Sequence, residues 1–171
     1  MNKAVLLLGS NLGEVELNLS SALLLLQEQA GTITLLSSIY KTAPWGFEHE
    51  NYFLNQVVII DTGKTPGELL HIILEIEKKL GRIRKGTEFS ARTIDIDILF
   101  FNDLVLEKDD LIIPHPLLHK RRFALIPLSE LIKNYIHPVL NKSISELLLS
   151  CPDPLEVFKY KEAGELKLKL M

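Results

Sequence analysis

Asp95 and Asp97 stand two apart in Thr93-Ile94-Asp95-Ile96-Asp97-Ile98, and Arg82, Arg84, Lys85 and Arg92 crowd the segment just before them. The isoleucines alternate with Thr93, Asp95 and Asp97, the period-2 pattern of a strand with one face in the core, so both carboxylates project from the same face. Same-face neighbours on a strand sit roughly 6.5 to 7 Å apart at the Cα, which lets both reach one cluster of hard cations such as Mg²⁺. Guanidinium groups suit phosphate oxygens. Carboxylates for metal beside arginines for phosphate are the parts that phosphoryl transfer needs, because that chemistry is mostly positioning and charge neutralisation. A D-x-D pair alone is more often a solvated or salt-bridged face. Two carboxylates held side by side repel each other, and the neighbouring cations, or a metal, must offset that repulsion.

Other residues have types that suit a small ligand. Asn55 sits in an apolar run, Phe53-Leu54-Asn55-Gln56-Val57, where a half-buried amide must find partners and can match the edge of a heterocycle. Trp45, the only tryptophan, lies in Lys41 to Asn51, a stretch with Pro44, Gly46 and three charges that reads as a loop. A loop anchor and a ligand contact are equally open for it. His115 is held between Pro114 and Pro116, and Pro116 prevents one continuous helix from presenting His115 and His119 together, which argues against a zinc pair. Contacts to phosphate or ribose suit His115 and Arg121 better.

The elements that must position these groups follow from periodicity and punctuation. Lys3 to Leu8 is a buried first strand running into Gly9-Ser10-Asn11-Leu12-Gly13, a turn that lacks the Lys-Ser/Thr of a P-loop. A helix from Glu14 to about Ala30 is stopped by Gly31, and a second strand extends from Ile33 to Tyr40. Phe53 to Asp61 is a third strand. Thr65-Pro66-Gly67-Glu68 carries a helix start with its cap, and that helix runs to Leu80 and Gly81. The aspartate strand, to Phe101, completes β-α-β-β-α-β, the ferredoxin-like α+β plan in which two helices cover one face of an antiparallel sheet and leave the other for loops and ligand. Beyond it, Asn102-Asp103 turns into Leu104 to Leu106, and Leu111 to Ile113 adds a short strand to a second small sheet. A helix at Ala124 to Ile132 is broken by Pro127, a short helix spans Ser143 to Leu149, and alternating Leu166, Leu168 and Leu170 suit an edge strand.

With 171 residues, 47% hydrophobic and 24% charged, the chain has the size of one globular domain, with a core at about 4–132 and an extension at about 133–171. A net charge of -3 gives no global attraction to nucleic acid or an anionic membrane, so the basic segment is local and its partner small. The single cysteine, Cys151, excludes an intramolecular disulfide and a cysteine-based zinc cluster. The apolar run at the amino terminus is too short for a signal peptide, and no stretch approaches about 18 apolar residues. A cytoplasmic monomer is the expectation.

In Gly9-Ser10-Asn11-Leu12, Tyr40-x-Thr42-x-Pro44-x-Gly46, Phe53-Leu54-Asn55, Glu77 with Gly81-Arg82-x-Arg84, Arg92-Thr93-x-Asp95-x-Asp97, and Pro114-His115 with Arg121 and Phe123, the chain resembles the 6-hydroxymethyl-7,8-dihydropterin pyrophosphokinases over about residues 4–132. The resemblance implies transfer of pyrophosphate from ATP to the hydroxymethyl group of the pterin, with release of AMP, in folate biosynthesis. It implies Asp95 and Asp97 as ligands of two Mg²⁺ ions and Arg82, Arg84 and Arg92 on the phosphates. Glu77, Ile98, His115 and Arg121 fall on the nucleotide side. Thr42, Trp45, Phe53, Asn55, Phe89 and Phe123 fall on the pterin side, where Phe53 and Phe123 would sandwich the ring. Glu88, Phe89 and Ser90 depart from the family's usual basic residue, tryptophan and small residue, and the loops around Trp45 and Gly86 are the expected mobile parts. A D-x-D glycosyltransferase would need a larger nucleotide-binding domain, and a ferredoxin-like RNA-binding module a basic sheet face that this acidic chain lacks.

Overall fold

The computed structural model describes residues 1–43, 51–82 and 93–163. β1 (Asn2–Ser10) forms antiparallel ladders with β4 (Phe53–Thr62) on one side and β5 (Asp95–Phe101) on the other, which makes it central. Outward from β4 come β2 (Thr32–Leu36) and β3 (Ile39–Thr42), and β8 (Val157–Lys161) closes that edge on β3. β6 (Leu106–Lys108) and β7 (Leu111–Ile113) form the expected second small sheet, a separate hairpin whose first strand begins at Leu106 rather than Leu104 and whose turn follows Lys108. The architecture is the α+β, ferredoxin-like one.

Alternation along the strands divides the apolar residues between two cores. Ala4, Leu6 and Leu8 of β1, with Ile94, Ile96 and Ile98, pack under α1 (Val15–Gln29) and α2 (Pro66–Lys79). Each fully buried leucine there stabilises the fold by about 1.5 to 3 kcal/mol. On the opposite face Val5, Leu7, Val57 and Leu99 pack against α3 (Arg122–Ile132) and α4 (Ile144–Leu149). That face is therefore not wholly left to loops. Helices cover one end of it, and the polar residues of β3, β4 and β5 occupy the other.

Several local features depart from sequence expectation, each for a tertiary reason. The second strand is split at Ser37 and Ser38: Ser37 Oγ accepts from Val57 N (2.9 Å), while Ser38 N and Oγ donate to Glu130 of α3 (3.0 and 2.8 Å). Pro127 does not break α3, which is continuous. Its ring forgoes one helical hydrogen bond, and burial of Ala124, Leu125 and Leu128 beside it offsets the loss. Gly31 is required less as a cap than for closeness, since a Cβ there would lie 2.2 Å from the Asp61 carbonyl oxygen. The carboxy-terminal edge strand is Val157–Lys161; residues 166–170, the expected one, lie outside the described residues. As expected, α2 begins with a capping box, Thr65 Oγ1 accepting from Glu68 N and Glu68 accepting from Thr65 N. No helix among the described residues is long and apolar enough to cross a membrane.

His137, 4% exposed before α4, accepts hydrogen bonds at Nδ1 from Val139 N (3.2 Å) and Leu140 N (3.0 Å). Burial, with His119 adding to it, lowers its pKa from the ordinary value of 6.5. As pH falls below that value the unfolded chain binds the proton first, so stability is lost on acidification and is fully present above it. The urea midpoint is expected to fall between pH 7 and pH 5, with a shallower fall in His137→Asn, which keeps an acceptor but does not titrate. An equal slope in both proteins would remove His137 from the acid response.

Candidate functional site

The uncovered end of the sheet gathers the chemistry-bearing residues because four strand ends meet there in register. Gly9 of β1 lies opposite Asn55 of β4 on one side and opposite Asp95 of β5 on the other, and Tyr40 of β3 lies beyond Asn55. One row further in, Leu7 lies between Val57 and Asp97. Asp95 and Asp97 thus share the face away from α1 and α2, with side chains 21% and 27% exposed. Gly9 makes the floor of this end. A Cβ there would come within 3.1 Å of Asn55 Oδ1 and 3.8 Å of Phe53 Cδ1. The turn reading of Gly9 missed this close approach, which only the pairing of β1 with β4 creates.

Around Asp95 the groups form a tight ionic cluster. Arg82 donates from one guanidinium nitrogen to Asp95 Oδ1 and to Glu77 Oε1 (3.0 Å), and Glu77 Oε1 also accepts from Ile96 N (2.9 Å). Glu77 is 2% exposed, so it anchors Arg82 from beneath. Burial opposes the Arg82 charge, but Asp95 and then Glu77 outweigh it and raise its pKa above the ordinary arginine value. The cation is permanent, and one arginine joins a structural carboxylate to an accessible one.

His115 Nε2 lies 3.9 Å from Asp97 Oδ2, and its Nδ1 accepts from Leu117 N (3.2 Å). Burial, then the Arg121 charge, push its pKa down to about 4 against the opposing pull of Asp95. At neutral pH it is an uncharged imidazole, and the bond at Nδ1 places its proton on Nε2, facing the acidic edge. Arg121 is 8% exposed and lies 5.6 Å over the Phe123 ring. Thr42 and Asn55, both buried, are joined by Asn55 Nδ2 donating to Thr42 Oγ1 (3.0 Å).

The structure therefore brings together Glu77, Arg82 and Asp95, then Asp97 and His115, then Arg121 and Phe123, and finally Thr42, Asn55 and Phe53 around Gly9. Ile98 is different. Its side chain, 5% exposed, belongs to the core under α1 and α2 and does not join the face that carries Asp95 and Asp97. Trp45, Arg84, Phe89 and Arg92, with Glu88, Ser90 and the loop positions around Trp45 and Gly86, lie outside the described residues.

Among the described residues no three His, Cys, Asp or Glu side chains cluster as a self-sufficient metal site. Two accessible carboxylates on one face do fit Mg²⁺, which is commonly held by one or two carboxylates and takes its remaining oxygens from phosphate and water.

A family model described as 7,8-dihydro-6-hydroxymethylpterin-pyrophosphokinase matches residues 5–133. The 2-amino-4-hydroxy-6-hydroxymethyldihydropteridine pyrophosphokinase of Bacillus subtilis is 45% identical over 131 residues, 76% of this chain and 78% of that protein. The protein of the same description from Aquifex aeolicus is 40% identical over 139 residues, 81% of this chain and 86% of that protein. Among solved structures, an HPPK-DHPS in complex with substrates aligns with a TM-score of 0.71 at 20% identity, over 87% of this chain and 43% of that one. Plasmodium falciparum HPPK-DHPS with SDX-DHP gives 0.68 at 25% identity, again over 87% and 43%. The chain spans less than half the length of these solved chains.

Proposed function

Since the chain belongs to the 7,8-dihydro-6-hydroxymethylpterin-pyrophosphokinase family, we propose that it transfers pyrophosphate from ATP to the hydroxymethyl group of 6-hydroxymethyl-7,8-dihydropterin, releasing AMP, a step of folate biosynthesis. The observation that carries this reading is the row Asp95, Gly9, Asn55 across three strands, with Asp97 on the same face. It sets two anionic oxygen donors beside an amide-lined floor that has no side chain at its centre.

In this reading Asn55, oriented by Thr42, reads the donor and acceptor rim of the pterin, and Phe53 and Phe123 offer flat faces to it. Trp45 and Phe89 are assigned to the same side. Arg82, with Arg84 and Arg92, neutralises phosphate charge as the bond to the departing AMP breaks. Arg121 and the Nε2–H of His115 hold the nucleotide, and Glu77 keeps Arg82 in place. Asp95 and Asp97 would hold two Mg²⁺ ions, which when bound supply charge neutralisation between the phosphates and the acceptor hydroxyl. The hydroxymethyl oxygen gives up its proton to solvent as it forms its new bond to the β-phosphorus, and the bond from that phosphorus to the α–β bridging oxygen breaks, so that this oxygen leaves with AMP. The whole chain acts as one domain and as a monomer, with about 133–171 an extension of the core; sedimentation checks the oligomeric state.

The deciding assay is nucleotide product analysis. AMP is expected only with ATP, Mg²⁺ and the hydroxymethyl pterin together, and ADP would overturn the assignment. A second test concerns the floor. Gly9→Ala should fold, because the strand backbone accepts alanine, but Asn55 must shift by a few tenths of an ångström to clear the new methyl. Pterin affinity is expected to fall about tenfold, as for one displaced hydrogen bond, while ATP affinity holds. Unchanged pterin affinity would place the ring elsewhere.

A further inference from the structure

We infer that Asn18, Ser10 and Asn11 are positioning residues which tie the starts of β4 and β5 to the end of β1 and so hold the two halves of the site in register. The inference rests on the proposed reaction, in which Asp95 serves the phosphates and Phe53 the pterin.

The ladders end just short of where they are most needed. β1 pairs with β5 as far as Gly9 opposite Asp95, and with β4 as far as Ser10 opposite Leu54. Beyond those points the backbone alone no longer fixes the incoming strands, and side chains take over. Ser10 and Asn11 are 0% and 1% exposed, which is unusual for polar residues at a strand end. Asn18, in α1, donates through Nδ2 to Ser10 Oγ (3.2 Å) and to the Leu12 carbonyl (2.9 Å). A serine oxygen that accepts from Asn18 still has its own proton to give, and Ser10 gives it to the Thr93 carbonyl. The chain of donors therefore runs one way, from α1 through Ser10 to the residue two before Asp95.

The second arm is reciprocal. Asn11 Nδ2 donates to the Asn51 carbonyl (3.4 Å), and Asn51 Nδ2 donates to the Asn11 carbonyl (3.2 Å). Asn51 stands two residues before Phe53. Ser10, the last residue of β1, and Asn11 just after it thus reach two segments far apart in sequence, and each segment is tied two positions upstream of a site residue. Neither arm touches the reacting atoms. Their effect is on where Asp95 and Phe53 are carried.

The test compares Asn18→Ala with Asn51→Ala, the latter an exposed residue whose loss does not threaten folding. Misplacement of a charged group by about an ångström costs up to about a hundredfold in rate, so Asn18→Ala is expected to lower kcat for AMP release by roughly ten- to a hundredfold, with pterin affinity unchanged. Asn51→Ala is expected to weaken pterin binding by roughly three- to tenfold, the worth of one hydrogen bond, with kcat retained at saturating pterin. Hydrogen exchange on the ligand-free protein gives a readout independent of activity. Exchange should quicken at residues 93–96 in the first variant and at 53–55 in the second, without crossing over. Kinetic constants that fall together in proportion to lost stability, or exchange that is unchanged or quickens equally at both segments, would overturn the inference. Wild-type protein that makes no AMP would instead overturn the functional reading, and the exchange contrast would still decide the positioning role.

Discussion

Asp97→Ala is expected to lower the rate of AMP formation by about a thousandfold or more while leaving the fold intact, because it removes one of two oxygen donors from the face where charge must be neutralised. The side chain is 27% exposed, so no buried cavity results. Removing one of two like charges on a strand face also relieves repulsion. Thermal stability should therefore hold or rise slightly as activity collapses, a combination that general misfolding does not produce. Asp95→Ala should differ in kind, since Asp95 also pairs with Arg82 and its loss leaves that guanidinium held by Glu77 alone. A rise in the KM for ATP is expected there in addition to the loss of rate. Single-turnover AMP release with matched thermal melts distinguishes the two variants. Near wild-type turnover in Asp97→Ala would remove these carboxylates from the mechanism.

What could be read in advance was what the chain encodes locally. The common face of Asp95 and Asp97 follows from alternation alone, and the start of α2 from Thr65, Pro66 and Glu68. What could not be read depends on partners distant in sequence. The split at Ser37 and Ser38 depends on Glu130, 92 residues beyond Ser38, and a run of β-compatible residues gives no sign of it. Gly31 reads as a helix stop, yet the constraint on it comes from Asp61 in a later strand. The same holds at Gly9, where a turn-like motif conceals a close approach to Asn55. Ile98 shows the reverse limit: the family resemblance implies the nucleotide side for this position, but periodicity already places its side chain in the core. The ferredoxin-like order was legible because each element carries its own periodicity. Coverage of the second face by α3 and α4 was not, because nothing local in those helices states which side of the sheet they meet.

Glu77 poses the sharper question, because its motif assigns it to the nucleotide while its geometry makes it a support. At 2% exposure, Oε1 accepts from both Ile96 N and Arg82, so the carboxylate fixes the edge of β5 and the guanidinium at once. Glu77→Ala is expected to destabilise the protein by about 1 to 3 kcal/mol, because the Ile96 amide is left buried without its acceptor while Arg82 keeps Asp95 as its partner. Arg82, held then by Asp95 without its second carboxylate, no longer stands at a fixed place for phosphate, and the rate of AMP formation should fall about a hundredfold. Glu77→Gln separates the two roles. An amide oxygen still accepts from Ile96 and Arg82, so a support role predicts that glutamine restores most of the stability and keeps the rate within about tenfold of wild type. A charge acting directly on the nucleotide predicts that glutamine and alanine raise the KM for ATP alike. Urea midpoints and ATP titrations on the two variants decide between them, and equal losses in both would return Glu77 to the nucleotide. The support reading has the stronger physical basis, because a carboxylate aimed at triphosphate oxygens would repel them unless a cation stood between, and here Arg82 is that cation.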